Sequence, residues 1–484
     1  MSQGTVAAGA EDTWSAGVRL VAVSASIATL AIAVPAGLLF AVPDTGRSQA
    51  WTITLLIAVW GGVRLSVMWA NGEAKLFDFF FWLYTYLFMG VAATVQIRAN
   101  DIPYTTPGMS PSLDMPTAWV VLLGVAGYEL AHGVYVLTRR KSGHRELRLA
   151  TVSGGRTALL YLVGIALSGY YVAKAGLGLA VANRYAADAR LSMIWPEPAT
   201  RAIFVALAVY PILVAVGAVI QVRRATPKGD PLRWVLWVMA AAGVAVLGVV
   251  ASPVSSARYT FGTVAFAILV YLGVTKTRFR TRLATGGMIG AMLFVFPVLD
   301  MFRGGSSDLS RKGSFFSEYS GNPDYDSFWQ IANALSYSLS DSMQAGRQIL
   351  GSLLFWVPRV IWPDKPTDTG VMLANYRGYS FGNLSAPMWA EMLVNGGVIA
   401  VGVGFVILGV VLASLDRRMA RAHAVGGWLG LVGAILPVYM MILMRGSLLQ
   451  ATGAIVVALG CLWWVRRAAP RDTELRAGPQ SLSS

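Results

Sequence analysis

Phe355-Trp356-Val357-Pro358-Arg359-Val360-Ile361-Trp362-Pro363-Asp364-Lys365-Pro366 forms the centre of a polar segment that runs from Asp300 to Pro387. Apolar runs of membrane-spanning length flank it on both sides. Its reading therefore decides the fold, as a set of hydrophobic helices interrupted by one long polar excursion. Pro358, Pro363 and Pro366 end any helix here and fix the backbone beside Arg359. The preceding run, Ile349–Val357, is apolar but too short to cross a bilayer. It fits an interfacial or re-entrant piece with Trp356 and Trp362 at headgroup depth, which would hold the Arg359 guanidinium where a lipid-linked phosphate sits.

Composition supports this frame. The chain has 484 residues, of which 56% are hydrophobic and 13% charged. A soluble protein of this size needs far more polar surface. The single Cys461 excludes a disulfide within the chain and any Cys-rich metal cluster. The net charge of +15 is dispersed in short basic clusters between apolar runs, the pattern of membrane topology rather than of nucleic-acid binding. The first residues carry no positively charged n-region, so no cleaved signal peptide is expected.

The fold class read from these runs is an all-α integral membrane protein with about twelve spans. They cover roughly 18–42, 50–70, 77–97, 117–138, 157–177, 202–222, 234–251, 258–275, 284–302, 389–415, 426–444 and 448–465. Basic clusters follow every even-numbered span except the second: Arg139 to Arg148, Arg223 to Arg233, Lys276 to Arg282, Arg417 to Arg421, and Arg466 to Arg476. All then lie on one side, which the positive-inside rule makes cytoplasmic, with both termini inside. The organisation is a tail (1–16), a membrane domain (17–302), a long extracytoplasmic loop with short amphipathic or re-entrant helices (303–388), a second membrane part (389–465) and a tail (466–484).

The long loop reads as structured. Asp326 or Ser327 can cap a helix on which Phe328, Ile331, Leu335 and Leu339 recur at helical spacing. The outer side carries Arg184, Arg190, Arg258, Arg303, Arg311, Arg347, Arg359, Arg377 and Arg445. Short outer segments are normally poor in positive charge, so these residues point to an anionic ligand, which a guanidinium grips bidentately. The alternative for each is headgroup contact and snorkelling. Arg359 and Arg445 are the foremost candidates, the latter in a very tight hairpin between the last two spans. Glu391, in Trp389-Ala390-Glu391-Met392-Leu393-Val394-Asn395-Gly396-Gly397, is either a general base at the outer mouth of span ten or the ion-paired partner of an Arg. Asp324, Asp326 and Asp364 bind an acceptor sugar or cap helices, caps being preferred for the first two. Glu129 and His132, three apart on one helical face, read as a structural polar pair more readily than as a metal pair or proton relay. No Asp-rich triplet or His/Cys set offers a metal site, and no cofactor is expected.

These residues resemble the Wzy-type oligosaccharide repeat-unit polymerases, or O-antigen polymerases, of bacterial surface-polysaccharide synthesis. The likeness rests on Asp324-Tyr325-Asp326-Ser327-Phe328, on Val357 through Pro366 and on Glu391 through Gly397. Weaker echoes are Ser256-Ala257-Arg258 and Arg445-Gly446-Ser447. The resemblance implies a membrane glycosyltransferase that joins polyprenyl-diphosphate-linked repeat units on the outer face of the bacterial cytoplasmic membrane. Its partners would be that lipid-linked oligosaccharide, membrane lipids, and the flippase and chain-length regulator of the same pathway. The third and fifth outer segments would bind the growing chain and the incoming unit through Arg residues. Arg359 and Gly370 fit the Arg-x10-Gly spacing described for such loops, whereas neither Arg184 nor Arg190 has a Gly at that distance. The related ligases often carry a His in the long loop; 303–388 has none.

The corresponding mechanism is an inverting, metal-independent transfer. Arg359 and Arg445 with Arg258 or Arg184 stabilise the departing diphosphate, and Glu391 takes the acceptor proton. Arg311, Asp364, Lys365, Asn395 and Trp362 complete the expected substrate contacts. Rival readings are a monosaccharide transferase, a twelve-span transporter or flippase, a ligase-like glycan transferase, and a non-catalytic subunit of an assembly machine. The first outer segment, 43–49, offers only Asp44 and disfavours the first rival. A transporter should show repeat symmetry and broken helices at mid-membrane, for which the sequence gives no clear sign.

Overall fold

The computed structural model describes residues 14–139, 150–297, 315–340, 343–382, 384–425 and 427–467. Helix dominates throughout. Among the described residues the one sheet is a two-residue antiparallel pair, Thr151–Val152 against Arg466–Arg467. Among the described residues ten helices are long and apolar enough to cross a membrane, which makes the chain an all-α multi-pass membrane protein.

The expected eighth span falls short of that standard, and the described part of the ninth does not reach it. The eighth is the 15-residue helix Arg258–Leu272. At 1.5 Å per residue it rises only about 22 Å, less than a hydrocarbon core of about 30 Å. The ninth begins as Arg278–Gly290, whose first turns carry Arg278, Arg280 and Arg282, and continues through a π-helical turn at Ala291–Val295. These charges lower its hydropathy, and its expected last residues, 298–302, lie outside the described part. Arg303 and Arg311 lie outside it as well.

Two helices organise the packing. Leu76–Ala99 is buried along its whole apolar length and packs beside Ala50–Asn71 and Trp428–Arg445. Pro198–Ala225 gathers Gly154–Ala175, Leu232–Val250 and Leu448–Val465 around itself. Helix ends preceding or following the basic clusters meet on one face. There Gly427 N–H donates to Gln221 and Trp428 N–H to the Ala150 carbonyl, beside the strand pair.

On the opposite face the long polar segment folds into the helix bundle. Its helix Ser327–Leu339 is buried on nearly every side and packs against Met388–Val425, Asp114–Arg139 and the π-helical turn Thr85–Ala92. Ser327 accepts a 3.0 Å bond from the Tyr84 hydroxyl, far below the end of that helix at Ala99. Trp329 Nε1 donates to Gln96 at 2.9 Å, and Gln96 in turn donates to the carbonyls of Tyr319 and Tyr325. The segment is thus part of the membrane domain's core, anchored by satisfied buried polar groups.

Helix Met388–Val425 is broken near its start. Gly396 is extended and Gly397 takes φ 64°, ψ −158°, a region that only glycine enters without strain. The freed carbonyls are satisfied by the loop: Gln344 N–H donates to Val394 at 2.8 Å and Gly346 N–H to Asn395 at 3.0 Å. The Asn395 side chain accepts from Ile349 N–H at 3.2 Å and donates to the Glu391 carbonyl at 2.7 Å. A broken helix inside apolar surroundings needs such replacement partners.

Candidate functional site

Three separate parts of the chain converge where the loop enters the bundle. Arg258 opens its short helix, Asp324 and Asp326 precede the buried helix Ser327–Leu339, and Arg445 ends Trp428–Arg445. Arg258 Nη1 donates to Asp324 Oδ2 at 2.7 Å. Arg445 Nη2 lies 3.7 Å from a carboxylate oxygen of both Asp324 and Asp326. Its Nε donates to the Asp324 carbonyl and Nη2 to the Pro323 carbonyl, each at 3.2 Å. Arg258 also stacks on Phe296 and Arg445 on Tyr259, at 4.5 and 5.5 Å from the ring centres.

The two carboxylates differ in exposure, which separates their roles. The Asp326 side chain is 2% exposed, whereas that of Asp324 is 35% exposed. Asp326 accepts from Ser385 at 2.7 Å and from Thr105 and Gln330 at 3.2 Å. Burial pushes its carboxyl above the usual aspartate range, against the opposing pull of Arg445 and those hydrogen bonds. Asp324 is the more exposed of the two and lies beside both guanidinium groups. The buried hydroxyls of Tyr259 and Tyr325 have no hydrogen-bond partner among the described residues, so polar capacity remains to be filled here. A doubly charged anion with several acceptor oxygens matches this pair of guanidinium groups.

The cap reading of the two aspartates is corrected by this geometry. Neither carboxylate caps the helix: Asp326 sits at the N-cap without a side-chain bond to it, and both turn toward arginines. Sequence reasoning undervalued Asp326 and missed Tyr259 and Ser385. The only local signal was the density of polar groups in Asp324–Ser327.

Arg359 lies elsewhere. Its guanidinium donates to the carbonyls of Lys365 at 2.7 Å and Pro366 at 3.2 Å, closing the proline-rich turn on itself. Lys365 Nζ binds the Phe355 and Val357 carbonyls. Burial and neighbouring Arg359 push this ammonium below its usual range, and Glu197 acts in the other direction. The carbonyl of Asp364 accepts from Arg347, and Trp362 is half-buried within the same turn. Trp356, Val360 and Ile361 project from it, 68%, 93% and 75% exposed, as an apolar edge. The spacing from Arg359 to Gly370 has a packing reason at its far end: a Cβ on Gly370 would stand 2.3 Å from the Leu384 carbonyl oxygen. Arg184 is exposed in the first turn of Arg184–Ile194, and no bond among the described residues joins it to Arg258 or Arg445.

Glu391 is buried, with both oxygens engaged. One accepts from the N–H of Leu448 at 2.9 Å and the other from the Thr369 hydroxyl at 2.9 Å. It therefore caps the start of the last helix, directly after the hairpin that carries Arg445. The expected ion pair with an Arg is absent among the described residues. Acting as a base would require releasing one of these bonds.

Glu129 and His132 do not pair with each other. Glu129 lies 3.3 Å and His132 3.7 Å from Arg64 and Asp78 respectively, while Arg64 and Tyr128 each bind Asp78 at 3.0 Å. Asp416 accepts from the N–H groups of Phe77 and Asp78, which caps the central helix. No group of three metal-binding side chains occurs among the described residues.

Comparison with known proteins adds no relative: no family model, no curated protein and no solved structure matches this chain.

Proposed function

We propose that the chain is a membrane glycosyltransferase that extends a surface polysaccharide from polyprenyl-diphosphate-linked repeat units. The reading places the long segment on the outer face of a bacterial cytoplasmic membrane, with both termini inside. The observation that carries it is the convergence of Arg258 and Arg445 on the partly exposed Asp324 carboxylate. In this reading Arg258 and Arg445 are the diphosphate ligands. Arg359 holds the proline-rich turn closed, and Glu391 positions Arg445 by holding the adjoining helix start.

The chemistry is balanced by these groups. An acceptor hydroxyl attacks the anomeric carbon, and the bond from that carbon to the diphosphate oxygen breaks with its electron pair. The growing charge on the oxygen meets two preplaced guanidinium groups, which lowers the barrier without reorganising solvent. Asp324, released from the arginines as the diphosphate takes its place, is a partly exposed carboxylate that accepts the hydroxyl proton. The diphosphate then departs on its lipid.

A transporter of lipid-linked glycan is the second reading. It is favoured by the broken helix at Gly396–Gly397 and by the buried ionisable group around Asp78. Clean deletion of the gene, with sizing of surface glycan and lipid-linked intermediates, separates the two. Single repeats accumulating on the outer face support the polymerase. Intermediates trapped on the cytoplasmic face support the transporter and contradict the polymerase.

A further inference from the structure

The cations of the proline-rich turn bind its own carbonyls. Arg359 reaches Lys365 and Pro366, Lys365 reaches Phe355 and Val357, and Arg347 reaches Asp364. What the turn presents at its surface is largely apolar. Leu350 and Leu353, on the short helix Arg347–Leu353, are exposed, and the exposure continues through Trp356, Val360 and Ile361. Trp362, expected beside Trp356 at headgroup depth, is half-buried in the turn. A contiguous apolar surface of this kind marks a place where something binds.

The turn is seated on a membrane span. Helix Arg347–Leu353 packs against Leu448–Val465 and Met388–Val425, and a Cβ on Gly453 would stand 3.8 Å from the Phe355 ring. Leu448–Val465 has 18 residues and rises about 27 Å, less than a hydrocarbon core of about 30 Å. Its first turns therefore already lie in hydrocarbon, and Gly453 is about 7.5 Å along it from Leu448. Val456, Gly460 and Trp463 follow Gly453 on the same helical face, at i+3, i+7 and i+10. All three are exposed, as the lipid-facing stripe of a span is. Phe355 continues that stripe toward the start of the helix.

We infer that the edge formed by Leu350, Leu353, Trp356, Val360 and Ile361 is immersed among the acyl chains of the adjoining bilayer leaflet and anchors the long segment there. Continuity with the stripe of Val456 and Trp463 identifies lipid as the occupant. The backbone suits the same setting, because irregular chain at membrane depth must have its polar groups paired. The turn's cations cover five of its carbonyls, and the N–H groups of Val357, Ile361, Trp362 and Lys365 donate to carbonyls of the same segment. Prolines at 358, 363 and 366 have no N–H to satisfy. The inference is independent of the glycosyltransferase reading and of which compartment the long segment faces.

Depth-dependent quenching tests it. Cys461→Ala removes the sole thiol, and Val360→Cys or Val456→Cys then places a single bimane label on the full chain in phosphatidylcholine vesicles. Val456 is the lipid-facing reference. Lipid brominated near the top of its acyl chains should quench the label at 360 at least half as strongly as the label at 456. Iodide, present on both sides of the membrane, should quench neither label. Weaker lipid quenching at 360, whether iodide reaches the label there or protein covers it, overturns the immersion. Ile361→Cys is read against the same reference, so the test stands if Val360→Cys does not fold.

Discussion

Arg258 and Asp324 meet at 2.7 Å across 66 positions of sequence, closing the long polar segment onto the 15-residue helix Arg258–Leu272. Arg445 approaches the same carboxylate from a third helix. The resting site is therefore two cations held by two aspartates, and an incoming diphosphate competes with Asp324 for them. Asp324→Asn removes both the competitor and the proposed proton acceptor. Turnover should fall while KM for the lipid-linked donor stays constant or decreases. A rise in KM with unchanged turnover would assign Asp324 to substrate binding.

Asp326 allows a statement with a definite sign. Burial raises its carboxyl pKa in the folded chain, so its stabilising contribution is complete below the unfolded value and is lost as pH rises through the folded one. Asp326→Asn has no such loss. Relative to native protein, the variant should gain stability as pH climbs from about 3.9, the ordinary aspartate value. Thermal midpoints of both proteins across pH test this; parallel curves would mean that the carboxyl is not perturbed by burial.

Arg359 is expected to act through the shape of its turn. Arg359→Ala deletes two charge-assisted bonds to carbonyls, and a bond of that kind contributes about 1.5–3 kcal/mol. Hydrogen exchange in 355–366 should quicken by roughly tenfold or more, since 1.4 kcal/mol is a factor of ten. Exchange around Asp324 and Arg445 should be unchanged. Loss of glycan transfer without any change in loop exchange would restore Arg359 to direct substrate contact.

The break at Gly397 can be tested by a single methyl group. Gly397→Ala forces a side chain into a backbone region that costs about 1–3 kcal/mol. The neighbouring Met343 sulfur would also lie only 3.3 Å from the new Cβ. The midpoint of unfolding in detergent should fall accordingly. An unchanged midpoint would indicate a helix that can straighten.

Much of the architecture was legible because hydrophobic run length and local capping are short-range signals. The buried helix Ser327–Leu339 follows from the spacing of Phe328, Ile331 and Leu335, and most spans from their run lengths. The shortfall at 258–272 escaped notice because apolar content continues past Leu272, which ends that helix. The site was only partly legible. Arg258 and Arg445 were among its candidates, but periodicity cannot report that residues 258, 324 and 445 meet in space. For the same reason Arg359 looked like a ligand, although its own turn supplies its acceptors. The Glu391 side chain meets Leu448 through a contact no sequence pattern encodes.

The most direct measurement is the lipid-linked glycan profile of cells whose sole copy carries Arg445→Lys. This change keeps the charge and most of the volume but loses the fork that reaches both aspartates and the two carbonyls. Loss of one such donor should reduce transfer by about 10²–10³. The expected result is single repeat units accumulating on polyprenyl diphosphate at a normal protein level. Full-length polymer in native amount, from that same quantity of protein, would contradict a diphosphate held by Arg445.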